Sequence, residues 1–173
     1  MSDLTSAAPA GVDPVIYRGI ADLEAAMGRE LGPTSWFTVG QDRIDGFADA
    51  TEDHQWIHVD PARAVDGPFG ATVAHGFLTL SLVPYFVNCL RRIEGVRMGV
   101  NYGLDKVRFP APVRVGSRIR ARTTMIRLDH VADDAVQLVT RTTVEVEGDG
   151  KPGCVADLVS RYYFDRGDSR RLT

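Results

Sequence analysis

The run Gly76-Phe77-Leu78-Thr79-Leu80-Ser81-Leu82-Val83-Pro84-Tyr85-Phe86-Val87-Asn88-Cys89-Leu90 is apolar on nearly every side. A surface helix needs one polar face, so a helix of this composition has to be enclosed by other structure, and this one is the natural centre of a core. The longer stretch Val73 to Leu90 approaches the ~20 residues of a membrane span. It contains His75, Pro84 and Asn88, however, and Arg91-Arg92 follow at once. We therefore expect no membrane association. Pro84 removes one backbone hydrogen bond, which predicts a kink there or a helix made of two shorter pieces.

Downstream the period changes from helical to alternating. Val96 to Tyr102, Lys106 to Phe109, Ser117 to Leu128, Ala135 to Glu147 and Cys154 to Phe164 are rich in Val, Ile, Thr and aromatics and are separated by Gly, Pro and Asp turns. Val136, Leu138, Thr140, Thr142, Val144 and Val146 alternate with Gln137, Arg141 and Glu145, the signature of a strand with one buried and one wet face. Short connections imply antiparallel neighbours. Upstream, Ile20, Leu23 and Met27 have helical spacing, Thr34 to Val39 reads as a short strand, and Ile44, Phe47, Ala48 and Thr51 make a second helical face. One buried helix followed by an antiparallel meander gives an α+β architecture, a single hot-dog fold in which a curved sheet wraps a central helix.

The chain has 173 residues, 44% of them apolar, which suits one domain. We expect that domain over residues 16–165, with flexible tails at 1–15 and 166–173. A net charge of -3 with scattered arginines argues against nucleic-acid binding, which depends on clustered Lys and Arg. Cys89 and Cys154 stand far apart and read as buried free thiols. Met1 to Asp13 has neither a basic nor an apolar leader region, so a cytoplasmic location is the simplest expectation. G-x-S-x-G, G-x-G-x-x-G and Walker-type loops are absent from the sequence.

The densest ionisable segment outside the periodic elements is Glu52-Asp53-His54-Gln55-Trp56-Ile57-His58-Val59-Asp60. A carboxylate and an imidazole five positions apart can bracket one water if the loop curls, and histidine titrates near operating pH. A solvated acidic loop with a turn-capping histidine, or a metal site using Asp53, His54, His58 and Asp60, would have the same composition, although the spacing matches no usual zinc motif. Spacing alone does not separate these readings. A second feature is Thr72-Val73-Ala74-His75-Gly76, which runs straight into the apolar helix. Free N–H groups at a helix start could polarise a carbonyl, and glycine would let a ligand approach; an ordinary tightly packed helix start is the alternative. Arg118, Arg120 and Arg122 alternate on one strand face, either solvated or available to phosphate.

The runs Phe47 to Pro61, Ala74-His75-Gly76, Asn101-Tyr102-Gly103 and Val107 to Gly116 together resemble the MaoC-like dehydratases, which include the (R)-specific, type 2 enoyl-CoA hydratases, and most nearly their nodulation-protein-N-like branch. The family motif D-x-N-P-[LIV]-H stands here as Asp53-His54-Gln55-Trp56-Ile57-His58, with Gln55 for Asn, Trp56 for Pro, and Glu52 where Gly is common. The resemblance implies a hot-dog homodimer acting on an acyl-CoA or acyl-carrier-protein thioester. Asp53 and His58 would be the catalytic acid/base pair and the Gly76 N–H the donor to the thioester carbonyl. Gln55, Trp56, His75, Asn101 and Arg108 would be candidate substrate contacts. It implies no metal and no cofactor. An acyl-CoA thioesterase on the same fold and a non-catalytic acyl-thioester-binding protein are the alternative functions.

Overall fold

The computed structural model describes residues 13–165. The expected terminal tails lie outside those residues except at the inner end of the first, where strand β1 (Val15–Arg18) begins. The chain continues through α1 (Ile20–Ala25), β2 (Glu30–Leu31), β3 (Phe37–Thr38), α2 (Gln41–Thr51), α3 (Trp56–Val59) and α4 (Pro61–Ala64). Next come the paired helices α5 (Gly76–Ser81) and α6 (Val83–Leu90), then β4 (Arg91–Glu94), β5 (Val96–Arg108), β6 (Arg118–Ala132), β7 (Ala135–Val146) and β8 (Cys154–Phe164).

The apolar run forms the centre of the fold, and it is in two pieces. α5 ends at Ser81, and Pro84 lies in the first turn of α6, where a missing N–H costs least. Leu78, Val83, Phe86 and Val87 are buried against Ile119 and Ala121 of β6, Val144 and Val146 of β7, and Ala156 and Leu158 of β8. The sheet runs β2-β6-β7-β8-β5 with antiparallel pairing, and β3 also pairs with β6. A second cluster closes the far end, where Leu23 of α1 packs with Leu90, Met125, Val136, Leu138 and Phe164. This is the α+β hot-dog arrangement that the alternation of periods implied. Among the described residues no helix is long and apolar enough to cross a membrane.

Several details differ from the sequence reading. The strands expected at Val96 to Tyr102 and Lys106 to Phe109 are one, β5, whose register shifts between Asn101 and Gly103 and between Leu104 and Lys106. An extra residue on one strand interrupts the alternation without ending the pairing, so a bulge reads like a turn. Arg91 and Arg92, which seemed only to end the apolar run, open β4, which pairs in parallel with β1. Arg91 is buried there, its Nη2 donating to Thr140 Oγ1 at 3.0 Å.

The alternating arginines are paired within the sheet. Arg118 binds Glu147, Arg120 and Arg122 share Glu145, and Arg122 also reaches Glu30. Arg120 lies 4.4 Å over the Trp36 ring as well, which leaves this face little positive charge to offer a phosphate. Cys89 and Cys154 are free and buried, and burial pushes the Cys154 thiol up to about 11.

Phe86 is 1% exposed and sits where α6 meets the sheet. Phe86→Ala should lower the unfolding free energy by about 3–5 kcal/mol, read as a shift in denaturant midpoint at constant slope.

Candidate active site

The site is built where the irregular segment after α2 meets the start of α5. His58 lies on α3, a single helical turn that sequence periodicity did not reveal, and is buried. Its Nδ1 donates to the Val73 carbonyl at 2.6 Å. That bond commits the Nδ1 proton and leaves Nε2 with its lone pair free. Val73 is itself fixed, because its N–H donates to Ile57 O at 3.0 Å while the Ala74 N–H donates to Val113 O at 2.7 Å. Burial is the main reason that the His58 imidazole titrates below its usual 6.5. The neighbouring His75 adds to the effect, and the Val73 carbonyl and the Asp53 charge oppose it.

Asp53 follows directly on Glu52, which ends α2 in the left-handed region at φ 60°. Only glycine occupies that region without penalty, and glycine is what the family commonly has there. Asp53 is turned back toward the core by its main-chain carbonyl, which accepts from His75 Nε2 at 2.9 Å. One Asp53 carboxylate oxygen and one ring nitrogen each of His58 and His75 lie within 4.8 Å of one another. Asp53 is also the exposed member of the group, so its carboxylate is open to a substrate.

Gly76 is the first residue of α5, where the N–H has no acceptor within the helix. It shares with His58 a cleft of about 280 Å³ walled by Thr79, Phe109, Pro112 and Val113. A Cβ at Gly76 would stand 2.9 Å from the Phe109 ring, so glycine here allows the aromatic wall to close on the helix start.

The remaining predicted contacts scatter. Gln55 caps α3 with its backbone, accepting the His58 N–H at 2.9 Å. Trp56 packs against Gly67 and under the Arg63 guanidinium, 4.4 Å from its ring centroid, and so braces the loop after α4. Asn101 lines a different groove with Pro84, Asn88 and Ser160. Arg108 donates to its neighbour's carbonyl, Val107 O, and Arg114 to Phe69 O. His54 faces solvent and pairs with Asp49 at 2.9 Å, which raises its pKa. Asp60 accepts the Arg63 N–H at 3.0 Å and caps α4.

One supporting residue carried no signal in the sequence. Gln41, at the start of α2, donates to His58 O at 2.7 Å and to Asp45 at 2.8 Å, and accepts from Thr72 Oγ1 at 2.5 Å. It ties α2 to the His58 backbone and to the Thr72 hydroxyl, on the two sides of the His58–Val73 bond. Its neighbours Gly40 and Asp42 mark a helix start, but nothing in one sequence distinguishes this glutamine from a surface one.

Asp53, His58 and His75 are all metal-ligand types. The two imidazoles, however, are stacked, with centroids 3.7 Å apart and planes 24° from parallel. A metal is bound along a lone pair in the ring plane at ~2.0–2.1 Å from nitrogen, and two rings stacked in this way do not direct their lone pairs at a common point. The cluster suits a hydrogen-bonded water better than an ion.

Similarity to known proteins places this hot-dog fold in a class of enzymes that act on acyl thioesters. Residues 22–148 match the MaoC like domain. The 3-hydroxyacyl-thioester dehydratase Z of Mycobacterium tuberculosis is 51% identical over 146 residues, covering 84% of this chain and 97% of that protein. Nodulation protein N of Rhizobium leguminosarum bv. viciae is 44% identical over 151 residues, covering 86% of this chain and 94% of that protein. The (R)-hydratase of A. caviae involved in PHA biosynthesis superposes with a TM-score of 0.61 over 78% of this chain and 94% of that one, at 24% identity. The chain belongs to the MaoC-like dehydratase family.

The left-handed Glu52 offers a stability test. Glu52→Gly should leave the thermal midpoint unchanged or raise it, whereas the β-branched Glu52→Val should lower the unfolding free energy by about 1–3 kcal/mol. Equal midpoints for the two variants in a thermal melt would refute this account of the turn.

Proposed function

We propose that the protein is an (R)-specific enoyl-thioester hydratase and dehydratase, adding water reversibly to a trans-2-enoyl-CoA or carrier-protein thioester. The observation that carries this reading is the approach of the Asp53 carboxylate to the His58 imidazole, a carboxylate oxygen and a ring nitrogen lying within 4.8 Å of each other, where His58, its Nδ1 proton committed to the Val73 carbonyl, shares a cleft with Gly76. The mycobacterial relative, a 3-hydroxyacyl-thioester dehydratase, supports the same reaction, and the fold is shared with the A. caviae (R)-hydratase.

In the hydration direction the thioester carbonyl accepts from the Gly76 N–H, which draws electron density from the β-carbon. Asp53 and His58 hold a water. His58 Nε2 takes one of its protons as the oxygen bonds to the β-carbon, and the electron pair of the alkene moves toward the carbonyl. The helix-start N–H stabilises this enolate-like oxygen, a type of interaction worth roughly 3–4 kcal/mol where it matches developing charge. Return of the proton to the α-carbon completes the 3-hydroxyacyl thioester and restores the imidazole. No oxidation state changes overall, so the proposed step calls on no redox cofactor.

Asp53→Asn and His58→Ala should each lower kcat for a short enoyl-CoA by at least about 10²–10⁴-fold while leaving the fold intact. Near wild-type turnover in either would overturn the proposal. Because the base works deprotonated and its pKa is held below 6.5, the acidic limb of the kcat/KM profile should fall below the ordinary histidine value.

We further propose that the protein works as a homodimer paired through β5. Among the described residues this strand ends the sheet with one side unpaired, and Met98, Val100, Tyr102 and Leu104 are exposed along it. A long apolar edge is an aggregation liability unless something covers it, and a second β5 would satisfy its backbone groups in kind. Val100→Lys with Tyr102→Lys should convert the dimer to a monomer by light scattering; an unchanged mass would show that the contact lies elsewhere.

A further inference from the structure

His75 is the most constrained side chain near the site that the proposed reaction leaves without a role. It is 3% exposed and does not line the cleft. Its ring packs against the tilted ring of Phe47 of α2, at a centroid distance of 5.0 Å, and is stacked on His58 at 3.7 Å. Its Nε2 donates to the Asp53 main-chain carbonyl at 2.9 Å. Its own carbonyl accepts the Thr79 N–H at 3.2 Å, within the turn that begins at Gly76. The other ring nitrogen, Nδ1, is buried without a partner among the described residues.

That unpartnered nitrogen is informative. A buried polar atom without a hydrogen bond is a cost, so histidine is a poor choice if the position needs only packing. What the ring supplies is one N–H aimed at the Asp53 backbone together with a flat face for His58. Neither an aliphatic nor an amide side chain offers both.

We propose that His75 is a positioning residue that holds Asp53 and His58 as one rigid unit with the helix start at Gly76. It does so through two separable contacts, the bond to the Asp53 carbonyl and the stack on His58. The proposal rests on the reading of Asp53 and His58 as the acid/base pair, but its structural core concerns only how those groups are held. Burial is the main reason that His58 titrates low; among its neighbours the Val73 carbonyl and Asp53 raise its pKa, and His75 lowers it.

Two variants of the full-length chain separate the contacts. His75→Phe keeps a ring against His58 and removes the donor to Asp53; His75→Gln keeps a donor near the Nε2 position and removes the ring. With folding verified by thermal melt, His75→Phe should lower kcat for a short enoyl-CoA by about 10–100-fold with little change in KM, as expected when a residue supports a reacting group rather than the ligand. His75→Gln should recover part of that loss. The second readout needs no turnover: in ring-nitrogen NMR titrations, His58 should titrate at higher pH in both variants, because the neighbouring imidazole is gone. Wild-type kcat together with an unshifted His58 titration in both variants would overturn the proposal. Should the wild-type protein fail to hydrate any enoyl-CoA, the functional reading falls, and the NMR titration alone decides whether His75 controls His58.

Discussion

The apolar helix pair α5–α6, which is packed against the sheet rather than enclosed on every side, is the constraint from which the rest follows. With almost no polar face, it is stable only if the sheet supplies a wall along its length, and β6, β7 and β8 do so with Ile119, Ala121, Val144, Val146, Ala156 and Leu158. Burying apolar surface on this scale is the main favourable contribution to folding. It also determines where chemistry can happen. The pair shows solvent a narrow stripe at Phe77, Ser81 and Asn88, and the α5 start is the end that faces the irregular segment carrying Asp53 and His58.

That segment is held by a small set of directional contacts rather than by regular structure. Gln41 binds the backbone at His58 and the hydroxyl of Thr72. The Val73 carbonyl then orients the imidazole, and Trp56 braces the following loop on Gly67 and Arg63. The substitutions at Gln55 and Trp56 relative to the family motif thus fall on residues that hold the loop from outside the cleft. Asp53 and His58 keep their places because the groups that orient them lie elsewhere, namely on α2, at the Val73 bridge and at the start of α5.

Much of this was legible in the sequence. The change from helical to alternating period identified the central helices and three of the four long strands, β6, β7 and β8, nearly as they occur, because those signals are local. β5 was split in two because a bulge and a turn look alike in one strand's pattern, and register belongs to a pair of strands. β1, β2 and β4 are too short for any period to show. At the site, Asp53, His58 and Gly76 were singled out because their residue types suit the chemistry and match a family motif. The Gln41 contacts were not legible, since they join residues 17 and 31 positions apart. Nor was the stacking of His75 on His58, which depends on how two loops close in space.

The bond between His58 Nδ1 and the Val73 carbonyl has one more consequence. With one nitrogen committed, the ring has a single lone pair with which to exchange a proton. For a site of this kind, water addition and water loss are the same path travelled in opposite senses, and the folded chain favours neither. Net flow is then set by the relative concentrations of enoyl and hydroxyacyl thioester, so the protein equilibrates the two rather than driving one toward the other.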